Sequence, residues 1–138
     1  MEVIRLFLDA CIIIYWVESA EPFYSKLLSQ LQDIAEKNPH HVLTISRLSF
    51  LECLVKPIRE KDKKTLRIYK DFFEANHLEI IEIDQKVIEL ATDLRARHNL
   101  RTPDAIQAAS CMIGGGDHLF LTGDKHFGSV SKLSTCIL

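Results

Sequence analysis

Four carboxylates spread along the chain, Asp9, Glu52, Asp104 and Asp124, are the side chains best placed to do chemistry. Asp9 directly follows the apolar run Val3-Ile4-Arg5-Leu6-Phe7-Leu8, and Asp124 follows His118-Leu119-Phe120-Leu121-Thr122-Gly123. Glu52 lies on a short helical stretch between Leu48 and Val55, which puts a charge on or beside the stripe that should be buried. Asp104 falls in the first turn of a helix opened by Thr102-Pro103, and Gln107 and Ala108 in the next turn leave space beside it. Singly, each acid has a plain structural reading. Glu52 can snorkel to water or pair with Lys56. Asp104 is favoured by the helix dipole by roughly 0.3 to 1 kcal/mol. Asp9 and Asp124 can serve as turn or cap residues.

The four together make a different case. Carboxylates converging on one rim repel at about 4 kcal/mol per close pair at an effective dielectric of about 20. A cation is the usual remedy. Hard oxygen ligands without a nearby cysteine or histidine cluster favour Mg²⁺ or Mn²⁺ over Zn²⁺, and Mg²⁺ commonly takes substrate phosphate as a further ligand. One or two ions about 3.5 to 4 Å apart suit phosphodiester hydrolysis.

The elements that must position these acids follow from periodicity. Val3 to Leu8 reads as a central parallel strand covered on both faces. From Pro22 to about Glu36, Phe23, Leu27, Leu31, Ile34 and Ala35 recur at helical spacing. Asn38-Pro39 breaks that helix and Val42 to Ile45 reads as a second strand. Ser46 is expected to cap a helix running through Glu52 to about Val55, with Pro57 stopping it soon after. Residues 60 to 75 form a charged helix with Leu66, Tyr69, Phe72 and Phe73 inward, and Leu78 to Ile83 is a third strand. Asp84 caps the next helix, whose stripe is Val87, Ile88, Leu90, Ala91 and Leu94. Thr102 as cap and Pro103 in the first turn open a helix through Ala105 to Ile113, which Gly114-Gly115-Gly116 ends. His118 to Leu121 is a fourth strand, and Cys136-Ile137-Leu138 an edge strand. Strands alternating with helices imply an α/β fold, a three-layer α/β/α sandwich with a mostly parallel central sheet, whose ligands sit beyond the carboxyl ends of the strands. Asp9 and Asp124 both project from that rim.

With 138 residues, the chain fits one domain spanning 1–138 and buries roughly two-thirds of its unfolded surface. Its four cysteines stand singly among apolar neighbours, which favours reduced thiols in a cytoplasmic protein. A strand-like segment near Met1 leaves no room for a signal peptide, and the Leu6–Val17 run, broken by Asp9, is too short for a membrane span. A net charge of −2 argues against bulk attraction to nucleic acid, so any such contact must be local. Lys56, Arg59, Lys61, Lys63, Lys64, Arg67 and Lys70 against Glu60 and Asp62 give one segment a balance of +5, open to a solvated-face or an RNA-facing reading.

Four motifs recur in order: Phe7-Leu8-Asp9, Ser46-Arg47-Leu48-Ser49-Phe50-Leu51-Glu52, Thr102-Pro103-Asp104-Ala105-Ile106-Gln107-Ala108-Ala109 and Leu121-Thr122-Gly123-Asp124-Lys125-His126-Phe127. In order and spacing the chain resembles PIN-domain nucleases over essentially its whole length, and most closely the VapC-type toxin group. The resemblance implies a Mg²⁺- or Mn²⁺-dependent endoribonuclease acting on RNA, frequent homodimers, and often a cognate protein antitoxin that blocks the site. It carries the family's acidic quartet to Asp9, Glu52, Asp104 and Asp124, and its hydroxyl residue to Thr122, which holds a carboxylate or a water. Two positions depart from the pattern. Ala10 and Cys11 follow the first acid where many members have a small polar residue, which puts a supporting hydrogen bond in question. His126 stands where some members add an acid, leaving one ion or two open, and reads as a surface or substrate-side residue before a ligand.

The alternative from another class is a catalytically weak PIN-like module that binds RNA or a protein. A phosphoacceptor with Asp9 as nucleophile is disfavoured, because Asp9-Ala10-Cys11 lacks the second acid such enzymes use. Trp16, Tyr24 and Phe73 are expected to exceed what one core holds, a pointer to dimerisation.

Overall fold

Successive side chains of β1 (Ile4–Leu8) point to opposite faces, and this alternation organises the molecule, a computed structural model that describes residues 3–75 and 77–138. Leu6 and Leu8 pack on one face with Leu121, Ile45 and residues of helices α1 (Ala10–Val17), α2 (Phe23–Lys37), α3 (Leu48–Arg59) and α4 (Lys63–Phe73). Phe7 packs on the other with Phe120, α5 (Gln85–His98) and α6 (Thr102–Met112). The Phe7 and Phe120 rings, neighbours in register, stack at 5.4 Å. Each buried ring contributes roughly 1.5 to 3 kcal/mol. The three-layer α/β/α sandwich expected from the sequence is thus present.

The remaining strands are β2 (His41–Ser46), β3 (Leu78–Ile81), β4 (His118–Thr122) and β5 (Thr135–Ile137). All pair in parallel in the order β3-β2-β1-β4-β5. From β1 the chain builds outward through β2 to β3, then returns to lay β4 on the opposite side of β1. Strand order therefore reverses between β1 and β4, where a crevice opens at the carboxyl ends.

Several local expectations change. Asp9 breaks the Leu6–Val17 run as expected, and the residues after it form α1, a helix not read from the sequence, which Asp9 caps by accepting the Ala10 N–H. α3 does not stop near Val55 but continues through Pro57 to Arg59, because a buried proline in the last turn forfeits one hydrogen bond and keeps its packing. Its buried side is Ser49, Cys53 and Pro57, whereas Leu51, Val55 and Ile58 are exposed. Glu52 thus borders the buried stripe without the Leu48–Val55 seam assumed for it. Arg47 occupies the N-cap of α3, although Ser46 Oγ does accept the Leu48 N–H. Arg101, not Thr102, caps α6, with Thr102 and Pro103 already helical. Asp84 caps α5 as expected, but Ile88 faces solvent. Phe73 is buried, stacked on Phe50 at 4.0 Å, and so is no surplus aromatic. The seven basic residues between Lys56 and Lys70 all face solvent. Among the described residues, which exclude Met1 and Glu2, no helix is long and apolar enough to cross a membrane.

Candidate functional site

Asp9 leaves β1 at the crevice and Thr122 ends β4 beside it, with the Asp9 N–H donating to the Leu121 carbonyl at 3.0 Å. The Thr122 hydroxyl donates to Asp9 Oδ2 at 2.7 Å and accepts the Asp124 N–H at 3.1 Å, so one side chain ties the first acid to the backbone of the last. Cys11 Sγ donates to Asp9 Oδ2 at 3.6 Å and accepts the Gly123 N–H at 3.4 Å. The hydrogen bond in question at this position is therefore supplied by a thiol. A Cβ at Gly123 would lie 3.1 Å from the Tyr15 hydroxyl, a tight contact, and 3.7 Å from Cys11 Sγ, an ordinary one.

Asp9 is buried and has no cationic partner among these contacts. Burial pushes its carboxyl up to about 6 from the ordinary 3.8; bonds from Thr122 and the Ala10 N–H oppose the shift, and the charge of Glu52 adds to it. Burial likewise pushes the Cys11 thiol up to about 12, with the Asp9 charge contributing. Cys11 is accordingly a neutral donor near pH 7.

Glu52 on α3 accepts from Gln107 Nε2 at 2.8 Å, and the same amide donates to Ser49 Oγ at 3.0 Å. Gln107 is buried and its Oε1 has no partner. Gln107 is turned to α3, so that Glu52 pairs with Gln107 rather than Lys56, while the space read beside Asp104 remains as a cavity. Gln107 and Asp104 share one face of α6, so this helix positions two of the four acids. A polar residue in the apolar run Ala105-Ile106-Gln107-Ala108-Ala109 was the sequence signal for that role.

Asp104 and Asp124 line one cavity of about 300 Å³ with His98, Arg101 and His126. Arg101 Nε donates to Asp104 Oδ2 at 3.0 Å, a pairing not read from the sequence although the residues are three apart. Asp124 Oδ1 accepts the His126 N–H at 2.9 Å and faces its Nδ1 at 2.8 Å. The backbone bond, followed by the imidazole, holds the Asp124 carboxyl below its ordinary value. A larger, mostly apolar hollow of about 480 Å³ lies between α5 and α6 and contains none of the acids.

All four predicted acids come from elements that meet at one rim: Thr122 bonds both the Asp9 carboxylate and the Asp124 backbone, and Gln107 reaches Glu52 from the helix that also carries Asp104. Among the described residues no three acidic, histidine or cysteine side chains converge as a ligating set, Asp104 and Asp124 being turned to Arg101 and His126. The donor chemistry nevertheless suits a hard divalent cation. A buried carboxylate raised by burial and by a second carboxylate is stabilised as the anion by positive charge, and every acid offers oxygen.

The family model of the PIN domain matches residues 6–133. The chain belongs to the PIN-domain family. No curated protein matches it by sequence. Solved structures share the PIN fold at low identity. A chain of VapBC2 from Rickettsia felis, bound to a DNA fragment from its promoter, superposes with a TM-score of 0.74 at 16% identity, covering 97% of this chain and 98% of that one. A toxin–antitoxin complex from Klebsiella pneumoniae gives 0.69 at 20% identity, with 96% and 99% covered. VapBC-1 from nontypeable Haemophilus influenzae gives 0.71 at 15% identity, with 97% and 98% covered.

Proposed function

We propose that this PIN-domain protein is a Mg²⁺- or Mn²⁺-dependent endoribonuclease, the toxin of a toxin–antitoxin pair, with Asp9, Glu52, Asp104 and Asp124 as metal-holding residues and Thr122 as their support. The observation that carries the reading is Asp9: a buried carboxylate at the strand-order switch, beside Glu52, held by neutral donors alone. A divalent cation bound to these oxygens supplies Lewis acidity to a water and to the scissile phosphate. Thr122 keeps Asp9 Oδ2 oriented, Gln107 does the same for Glu52 Oε1, and α6 sets Asp104 relative to both. The outer cavity with Arg101, His98 and His126 provides donors for the RNA backbone.

A protein antitoxin is the expected partner, supported by neighbours that are themselves toxin–antitoxin complexes and by the exposed Leu51, Val55 and Ile58 flanking Glu52 on α3. A homodimer and a cytoplasmic location complete the reading. The competing one, a catalytically weak module that binds RNA or protein, draws on the pairing of Asp104 and Asp124 with basic side chains.

Cleavage of labelled RNA in Mn²⁺, in Mg²⁺ and in chelator separates them. Asp9→Asn, with its circular dichroism unchanged, should lose roughly a thousandfold of the metal-dependent rate, the scale of several kcal/mol of transition-state charge stabilisation. Equal cleavage by wild type and variant, or equal rates with and without metal, would exclude the nuclease.

A further inference from the structure

Arg101 stands where two ligands would compete for the same oxygen. Its Nε donates to Asp104 Oδ2 at 3.0 Å, and Asp124 and Glu52 add to the field that holds its charge. The two partners differ in freedom: the Asp104 side chain is 17% exposed, while that of Arg101 is 79% exposed. An exposed ion pair of this kind contributes little and is readily given up. A divalent cation brings twice the charge to the same carboxylate. Once released, the guanidinium remains in the cavity of about 300 Å³ that His98, Asn99 and His126 also line. An Arg fork, an amide and two imidazoles are donors suited to phosphate oxygens. With Asp104 and Asp124 neutralised, the repulsion that would keep a phosphate out of this cavity is gone.

We infer that Arg101 exchanges partners: it neutralises Asp104 while no divalent cation is bound, and binds a backbone phosphate of the RNA once a cation has taken the carboxylate. The inference rests on the reading of the acids as a metal centre, and it deepens that reading by making RNA affinity conditional on metal. It also assigns Arg101 opposite effects on two ligands. A residue that merely supported Asp104 would weaken both when removed.

The test compares wild type with Arg101→Gln. Mn²⁺ alone is titrated by calorimetry into chelator-stripped protein. A fluorescent mixed-sequence RNA is titrated by anisotropy in a Glu52→Gln background, which keeps the RNA whole, with saturating Mn²⁺ and without metal. Arg101→Gln should bind Mn²⁺ several-fold more tightly. At saturating Mn²⁺ it should bind RNA on the order of tenfold more weakly, with the slope of log affinity against log salt shallower by about one, the mark of a lost phosphate contact. Without metal the variant's loss should be much smaller, because Arg101 is then held by Asp104 and makes no phosphate contact. Weaker or unchanged Mn²⁺ binding by Arg101→Gln overturns the exchange, as does unchanged RNA affinity at saturating Mn²⁺. A wild type that binds Mn²⁺ and RNA yet never cleaves removes the nuclease reading while both affinities still decide the exchange. A wild type that binds no Mn²⁺ overturns the exchange outright.

Discussion

The inner and outer halves of the acid rim solve the same electrostatic problem in opposite ways. Asp9 and Glu52 are held by neutral donors, Thr122, Cys11 and the Ala10 N–H for one and Gln107 for the other. Asp104 and Asp124 meet basic side chains that are themselves 79% and 88% exposed. Neutral donors orient a carboxylate without cancelling its charge, so the inner pair stays anionic in demand. The exposed Arg101 guanidinium cancels charge but is easily displaced, and the exposed His126 ring is no more firmly held. The inner half is thus built to fix geometry and the outer half to change partners.

The comparison is tested most severely at Asp9. Its folded value of about 6 exceeds the 3.8 of an unconstrained carboxyl, so between those values the folded state holds a proton that the unfolded state has released. Stability must then fall as pH rises from about 4 to about 6 and stay low above it, by about 3 kcal/mol for a shift of roughly two units. In chelator, urea denaturation of wild type should show that loss and Asp9→Asn should not, leaving the variant the more stable protein at pH 8 by up to the same amount. A cation that binds the carboxylate should restore the wild type at pH 8. If wild type and Asp9→Asn keep the same pH profile, Asp9 is not an uncompensated anion.

The second expected effect lies at Gln107. Gln107→Met fills the same volume and removes the donor to Glu52 while leaving Asp104 and its pairing untouched. Loss of a residue that orients a ligand typically costs 10- to 100-fold in metal affinity or activity. Cleavage measured against Mn²⁺ concentration should show that loss as a higher half-saturating concentration. Gln107→His, whose Nε2–H reaches as far as the amide, should recover most of it. A fully active Gln107→Met would place Glu52 outside the machinery.

How far such features can be read in the sequence depends on the range of the forces behind them. The layers were legible because the unbroken apolar runs Leu6-Phe7-Leu8 and Phe120-Leu121 mark strands covered on both faces. Asp9 and Asp124 were legible as strand-end residues, whose shared rim follows from parallel topology, whereas Glu52 and Asp104 were legible only as acids on helices. The start of α1 at Ala10 was not, since Ile12, Ile13 and Ile14 suit a buried strand as well as a buried helix. Nor were the partners of the acids. Gln107 and Glu52 are 55 residues apart, and their bond exists only because α6 crosses α3. Pro57 misled because its cost is local while its compensating burial is tertiary.

The smallest effects should come from the outer acids, and their smallness is itself the test. Asp124 owes its lowered carboxyl first to the His126 N–H, a bond that an asparagine Oδ1 can still accept. Stability from that carboxylate is present above the ordinary value and lost only as pH falls below it. Asp104→Asn gives up an exposed pair, and both variants lessen the negative charge around Asp9 and Glu52. In chelator at pH 7 each should denature within about 0.5 kcal/mol of wild type, or be slightly more stable. A loss of several kcal/mol at either position would mean that its hydrogen bonds are structural. The outer acids would then be as tightly built in as the inner ones, and Arg101 and His126 would be fixtures rather than placeholders.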